Sequence, residues 1–437
     1  MKDWALSEKV KDVPLLLWLR CAPWILAHRD MRIPLPSLSK PALSIPVMLF
    51  FLTQVTQAVT PYETALHKGM DSMYAIEYDK AALQLEEAIR LAPDNPRAYL
   101  YLATTHWMKI LYLQNTLLTT AFGLPVDPYA PPNGVPCPPD FRQKFEDAVL
   151  RMKKKALALI EADPRNAEAQ FWLGMAEGSE SVFIISVDRK LFAAKTHADK
   201  SFDLMESAVK VDPNFKDPLF PMGMHMHLLG TRGIFTRMVL RLMGYRVSKE
   251  EGRKYVEIAA DQARYVRDDA RLGLVLCNIR EGKWNDAVGA MHEVLKRFPQ
   301  NSLLAMAMGR IQDSLGDHKG AVTTYEHILN KVNQHHPGFH VISPGEVNLR
   351  LALALLGMGR PQDGQVAAKK ALEDKYASSL VKAASLLTLG QCHDLLNHRQ
   401  DAIAAYQATL GLTPKTPSHD KARQFLVEPY NGKVPPG

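Results

Sequence analysis

The stretch AVGAMHEVLKRFP, residues 287–299, decides the fold. Ala287, Met291 and Val294 follow one another at helical spacing on one face, and Pro299 ends the run where a ring without an N–H stops a helix. The same offsets return as Ala81, Leu85, Ala88 and Pro93 in AALQLEEAIRLAP (81–93), and as Ala402, Tyr406, Thr409 and Pro414 in AIAAYQATLGLTP (402–414). Ala287 to Ala321 is 34 residues, and Tyr325 and Ile328 stand at the matching positions behind Ala321. Ten residues beyond a repeat-ending proline comes a small residue: Ala103 after Pro93, Gly174 after Pro164, Gly223 after Pro213, Gly309 after Pro299. A period of this length is one helical pair, and small residues at fixed places let two helices touch.

These residues resemble the tetratricopeptide repeat, with small side chains at repeat positions 8, 20 and 27, a bulky one at 24 and proline at 32. The resemblance covers about residues 62–414 and implies an all-α, right-handed superhelical solenoid of about eight hairpins. Their second helices are expected to end near Leu91, Ala162, Val211, Arg264, Arg297, Lys331, Asp374 and Leu412. The small residues would sit where helix A crosses helix B, and the bulky residue would fill the gap between neighbouring hairpins.

Departures from the period divide the chain. Ala103 to Pro164 is 61 residues where an uninterrupted repeat has 24, leaving 37 extra; Gly174 to Pro213 leaves 15 and Gly223 to Arg264 leaves 17. All fall between helix A and helix B, so residues 59–264 form an elaborated half and 265–414 a regular half, interrupted by a His/Pro/Gly loop at 334–345; 415–437 form a capping helix and tail. The segment 223–259, with Leu242-Met243-Gly244-Tyr245-Arg246, is similar to a stretch of exported bacterial repeat proteins and, more faintly, of the eukaryotic inclusion-body-clearance family.

Hydrophobic residues make up 47% of 437, enough for a large core, and the cationic excess, 53 − 46 = 7, is spread along the chain. No block of basic residues points to nucleic acid. Cys21, Cys137, Cys277 and Cys392 form neither a disulfide scaffold nor a C-x-x-C zinc pair. There is no glycine-rich phosphate loop, no Gly-x-Ser-x-Gly elbow and no His-Glu-x-x-His, so no enzyme, no cofactor and no metal is expected. Met222, Met224, His225, Met226 and His227 offer soft ligands, but His225 and His227 point about 200° apart on a helix and read as parts of a buried face. His335, His336 and His340, beside Pro337 and Gly338, read as a surface turn.

In the resembled family, helix A lines the concave groove. The matching positions in the first half include Leu66, Met70, Met73, Tyr74, Leu100, Trp107, Met108, Phe171, Met175, Phe220, Met224, His227 and Leu228. A groove this apolar suits an amphipathic helix, an unfolded segment or a lipid, making a hydrophobic-ligand carrier the alternative to a protein- or peptide-binding scaffold. The apolar insertions at 110–122, 182–192 and 228–243 folding back to plug it is the competing expectation. In the second half the positions are mixed, with Leu303, Met306, Arg310, Asp313, Glu346, Leu349, Leu387, Gln391 and Asp394. Chaperone-binding members hold a terminal carboxylate with Lys, Arg and Asn on helix A; these positions carry almost no Lys or Asn.

Residues 231–246, TRGIFTRMVLRLMGYR, make a basic amphipathic helix. Arg232, Arg237 and Arg241 are expected as one stripe, suited to an anionic membrane surface, with Phe235, Val239 and Leu242 packed on the repeats as the alternative.

The amino terminus reads as an address. LSIPVMLFFLTQV, residues 43–55, follows Arg32 and Lys40 and precedes Thr56-Gln57-Ala58, a secretory pattern too short to span a bilayer in comfort. It predicts export to the periplasm or cell envelope with residues 1–58 removed; an uncleaved anchor and an apolar first helix are the alternatives, and Met31 is a second candidate start. Amino-terminal sequencing of the exported protein is expected to begin at Val59, and a sequence starting at Met1 or Met31 contradicts cleavage.

Overall fold

The computed structural model describes residues 60–114, 116–117, 137–190 and 192–432, which belong to one compact unit, 58–437. The segment 43–55, the cut after Ala58 and much of the second-hairpin insertion lie outside the described residues. Every regular element among the described residues is a helix.

The elements are α1 (Pro61–Tyr74), α2 (Tyr78–Leu91), α3 (Pro96–Leu113), α4 (Pro139–Ala162), α5 (Ala167–Ser186) and α6 (Lys195–Val211), then α7 (Leu219–Gly230), α8 (Ile234–Leu242) and α9 (Lys249–Gln262). There follow α10 (Arg267–Arg280), α11 (Trp284–Arg297), α12 (Ser302–Ser314), α13 (His318–Asn333), α14 (Pro344–Gly357), α15 (Pro361–Glu373), α16 (Ser379–Leu395), α17 (Arg399–Leu410) and α18 (Pro417–Val427). Successive helices pair as antiparallel hairpins: α1 with α2, α3 with α4, α5 with α6, α7 with α9, α10 with α11, α12 with α13, α14 with α15 and α16 with α17. Helix α8 lies within the fourth pair, and α18 packs on α17 and α16.

Local chemistry starts six of the eight first helices. Side chains of Thr60, Asn95, Asn166, Asn301, Ser343 and Ser378 cap α1, α3, α5, α12, α14 and α16 by accepting from backbone N–H groups two or three residues further on, and proline opens α1, α3 and α14. The tight turns obey a second rule. Ile76, Gly282, Gly316, Gly359 and Asn397 all have φ between +60° and +79°, each at the turn of a hairpin without a long insertion. Glycine or asparagine is the low-cost occupant there; Ile76 adopts it against its branched side chain because that side chain is buried.

The helix crossings give the bulky position a second role. Tyr325 lies over Gly309 of its own hairpin, where a Cβ would stand 2.6 Å from the ring. Tyr406 lies over Gly390 in the same way, at 2.4 Å, and Leu85 over Gly69 at 2.6 Å. Each pair is 16 residues apart, so the bulky side chain fills the crossing within its hairpin as well as facing the next element, where Tyr406 meets Phe425 at 5.7 Å and Tyr325 shares a cluster with Val347. Gly309→Leu should cost on the order of 3 kcal/mol through overpacking. Gly282→Ala, whose Cβ meets nothing within 4 Å, should cost only the left-handed backbone penalty of about 1–2 kcal/mol. Urea denaturation measures both, and equal losses would show that crossing space is not what Gly309 provides.

Candidate functional site

The predicted groove positions of the first half are core. Met73, Tyr74, Leu100, Phe171 and His227 are buried, and Met70, Trp107, Met175, Phe220 and Met224 are half-buried. The opposite wall of the solenoid fills the space. Tyr74 of α1 stacks on Phe298, with ring centroids 4.0 Å apart, and donates its hydroxyl to Asp269 Oδ1 of α10 at 2.5 Å. Tyr101 of α3 donates to Asp269 Oδ2 and is equally close to the Tyr265 carbonyl, each at 3.1 Å. Phe220 and Met224 pack on Gly273 of α10, whose missing side chain makes room for them. Trp107 donates Nε1–H to Ser186 Oγ at 2.9 Å.

The His/Pro/Gly loop has a place in this closure. Gly338, at φ +80°, puts its backbone against the carbonyls of Gln300 and Ala75, the latter in the first hairpin turn, and Ser302 Oγ–H donates to the Gly338 carbonyl at 2.5 Å. Tyr112 of α3 donates to the Val341 carbonyl at 3.4 Å. The loop, read from sequence as a surface turn, is therefore partly a seal: His335 and His340 are exposed, whereas Gly338 and Phe339 are buried.

The polar groove candidates of the second half serve several ends. Asp394 is almost wholly enclosed and accepts from Arg399 at 2.9 Å, from the Tyr406 hydroxyl at 2.8 Å and from the Tyr430 N–H at 2.8 Å. Its carboxylate thus holds the carboxy-terminal cap instead of facing a ligand. Asp313 is hydrogen-bonded to His318 Nδ1 at 2.6 Å, and Arg310 and Gln391 are half-buried.

His225 and His227 turn to different neighbours. His225 lies against the rings of Phe202 and Tyr245, whereas His227 Nε2 meets Glu281 Oε1 at 3.0 Å. Burial alone would raise the Glu281 carboxyl, but hydrogen bonds from Lys283 and His227 and the charge of Arg253 hold it at about 2. Two groups of potential ligands that the sequence did not suggest come together in space: Glu177, Glu180 and His197, and His393, His398 and Asp401. The first is already neutralised, because Lys153 and Lys200 reach Glu177 at 3.0 and 2.6 Å. Burial opposes ionisation of Glu177, yet bonds from Lys200, His197 and Lys153 keep it at about 2.

Helix α8 reverses an expectation. None of its residues is buried; Ile234 is 79% exposed, Phe235 57%, Met238 51% and Leu242 66%. Its apolar face therefore points away from the repeats. The three arginines do not form one stripe either: Arg232 precedes the helix, Arg237 is half-buried, and Arg241 donates to the Val247 carbonyl at 3.1 Å.

Two surface clefts lie elsewhere. One runs between α1 and α2, lined by Pro61, Ala65, Leu83 and Leu91. The other crosses α13, α14 and α15, where Leu329, Leu351, Leu355 and Val366 lie among Asn330, Asn333, Asn348, Glu326, Asp363 and Lys370.

Stacked antiparallel hairpins, sharing crossings and caps, define an all-α solenoid. Family models described as tetratricopeptide repeat match residues 66–109 and 349–417, and residues 269–301. The chain carries tetratricopeptide repeats. No curated protein matches the sequence significantly. Solved structures similar to it include a human IFIT1 dimer with m7Gppp-AAAA (16% identity, 84% of this chain and 83% of that one, TM-score 0.35) and yeast Tom70 (12%, 84% and 88%, 0.29). A tetratricopeptide repeat protein from Parabacteroides merdae is also similar (14%, 75% and 98%, 0.26). At such identities and TM-scores neither ligand nor partner carries over.

Asp269 went unnoticed in the sequence because Arg267-Asp268-Asp269 looks like any acidic helix start. Burial raises its carboxyl to about 6, while the Tyr74 and Tyr101 hydroxyls pull it down. Its folded pKa thus exceeds the unfolded value near 4, so the folded state binds more protons between pH 4 and 6. The stability it contributes is present below that interval and is lost as pH rises through 6. Asp269→Asn, neutral throughout, should abolish this decline, on the order of 1–2 kcal/mol, between pH 5 and 7. Melting temperatures at the two pH values test it, and parallel profiles for parent and variant contradict it.

Proposed function

We propose that the protein is an exported scaffold of the bacterial periplasm or cell envelope that holds a protein or peptide partner and has no catalytic residues of its own. The observation that carries the reading is the cleft across α13, α14 and α15. Val366, 53% exposed, and the half-buried Leu329 offer apolar contact above a floor of buried Leu351 and Leu355. The exposed Asn330 and Asn333 supply amides that both donate and accept, Asn348 beneath them donates to the Pro344 carbonyl, and Glu326, Asp363 and Lys370 add charge. An extended peptide presents the same alternation, with backbone groups for the amides and side chains for the apolar points. The amino half supplies rigidity, since its predicted groove residues are spent on internal packing. The secretory pattern of residues 43–58 supports the envelope location.

A photo-crosslinking residue at Val366 should capture a discrete partner in cells, recovered from the envelope fraction. Capture should fall by tenfold or more when Asn330 and Asn333 are both changed to Ala. The same probe at Leu83, in the α1–α2 cleft, serves as control, and equal capture from both positions speaks against the α13–α15 cleft.

A further inference from the structure

Helix α8 is built the wrong way round for a surface element of a soluble domain. At 100° per residue, Ile234, Met238, Leu242 and Phe235 fall within an arc of about 100°, and all four are exposed. The half-buried Val239, Leu240 and Met243 lie on the remaining circumference. The apolar arc is not an accident of a loose loop, because the insertion is clamped at its base. A Cβ at Gly230 would stand 2.3 Å from the Lys249 N, so the two ends of the insertion touch backbone to backbone. On the return, Tyr245 lies between His225 and Lys195, and Arg246 crosses Phe202 and pairs with Glu206 of α6 at 2.6 Å.

Charge carried by the insertion itself is of one sign. Between Asp217 and Glu250 the sequence has no carboxylate but carries Arg232, Arg237, Arg241, Arg246 and Lys249. Among the described residues no carboxylate pairs with Arg232, Arg237 or Arg241, and the Arg237 Nε is buried without a hydrogen-bond partner. Arg280 of α10 stands close enough to Arg232 to feel its charge. Four arginines thus gather beside an exposed apolar ridge.

We propose that α8 is an interfacial helix that seats the solenoid on an anionic phospholipid surface. A ridge of four large side chains is convex, so it fits a deformable plane better than a peptide, which needs a cleft; neither of the two clefts described above includes a residue of α8. Ile234, Phe235, Met238 and Leu242 enter the boundary between headgroups and acyl chains, and the arginines meet lipid phosphates. No described helix is long and apolar enough to cross a membrane, which agrees with a helix lying in the interface. Docking through α8 does not depend on the peptide cleft, which shares no residue with it.

The test places an environment-sensitive fluorophore on Phe235→Cys in the full chain with Cys21→Ser and Cys137→Ser; Cys277 and Cys392 are buried. The probe reads α8 itself, whatever else in the chain touches lipid. Vesicles containing phosphatidylglycerol should shift its emission to the blue and pure phosphatidylcholine vesicles should not, and salt near 1 M, where the screening length is about 3 Å, should reverse the shift. Arg232→Gln, at an exposed position, should raise the lipid concentration at half-shift roughly fivefold, and Arg232→Gln with Arg237→Gln roughly 25-fold. No shift, an equal shift with both lipids, or a shift without vesicles that grows with protein concentration overturns the proposal, the last identifying a second copy of the chain as the occupant.

Discussion

One carboxylate between two tyrosines ties together parts of the chain that repeat periodicity keeps apart. Asp269 accepts the hydroxyls of Tyr74 and Tyr101, partners 195 and 168 residues away in sequence. In a solenoid each repeat ordinarily touches only its neighbours, and stability is close to a sum of local terms. Here hairpins one and two also lean on hairpin five, and the loop around Gly338 adds a second seal. Burial of an acid is costly, and two hydroxyl donors with the nearby charge of Arg97 meet only part of that cost. The packing of Tyr74 on Phe298 and of Arg97 over Tyr265 accompanies the buried acid at the seam.

That closure changes what the inner face can do. Side chains that would line an open groove become the core, continuous from Ala65 to Ile311. A large apolar surface left open to water would be unusual in a soluble protein, and the solenoid covers it with its own opposite wall. Binding capacity is displaced to places that closure does not reach: the outer cleft of α13–α15 and the apolar ridge of α8.

The insertions and the tight turns are two answers to one geometric problem. Hairpins with short turns place glycine, asparagine or a buried isoleucine in the left-handed region to reverse the chain within a few residues. The second to fourth hairpins lengthen the connection instead, and the longest described piece of it is α8 with its clamped base.

Sequence by itself determined the local terms. The prolines, the asparagine and serine caps and the 34-residue spacing are short-range physics, and the expected ends at Leu91, Ala162, Val211 and Arg297 coincide with the ends of α2, α4, α6 and α11. A basic helix within 231–246 was legible for the same reason, since amphipathic spacing is written within one helix, although it runs only from Ile234 to Leu242. Which way it faces was not, because an apolar arc packs equally well on a core or a foreign surface. The fate of Met73, Phe171 and Asp394 was also decided only in three dimensions. Their neighbours come from hairpins far along the chain or from the terminal cap, and no periodicity in one strand of sequence encodes how far a superhelix turns before it meets itself.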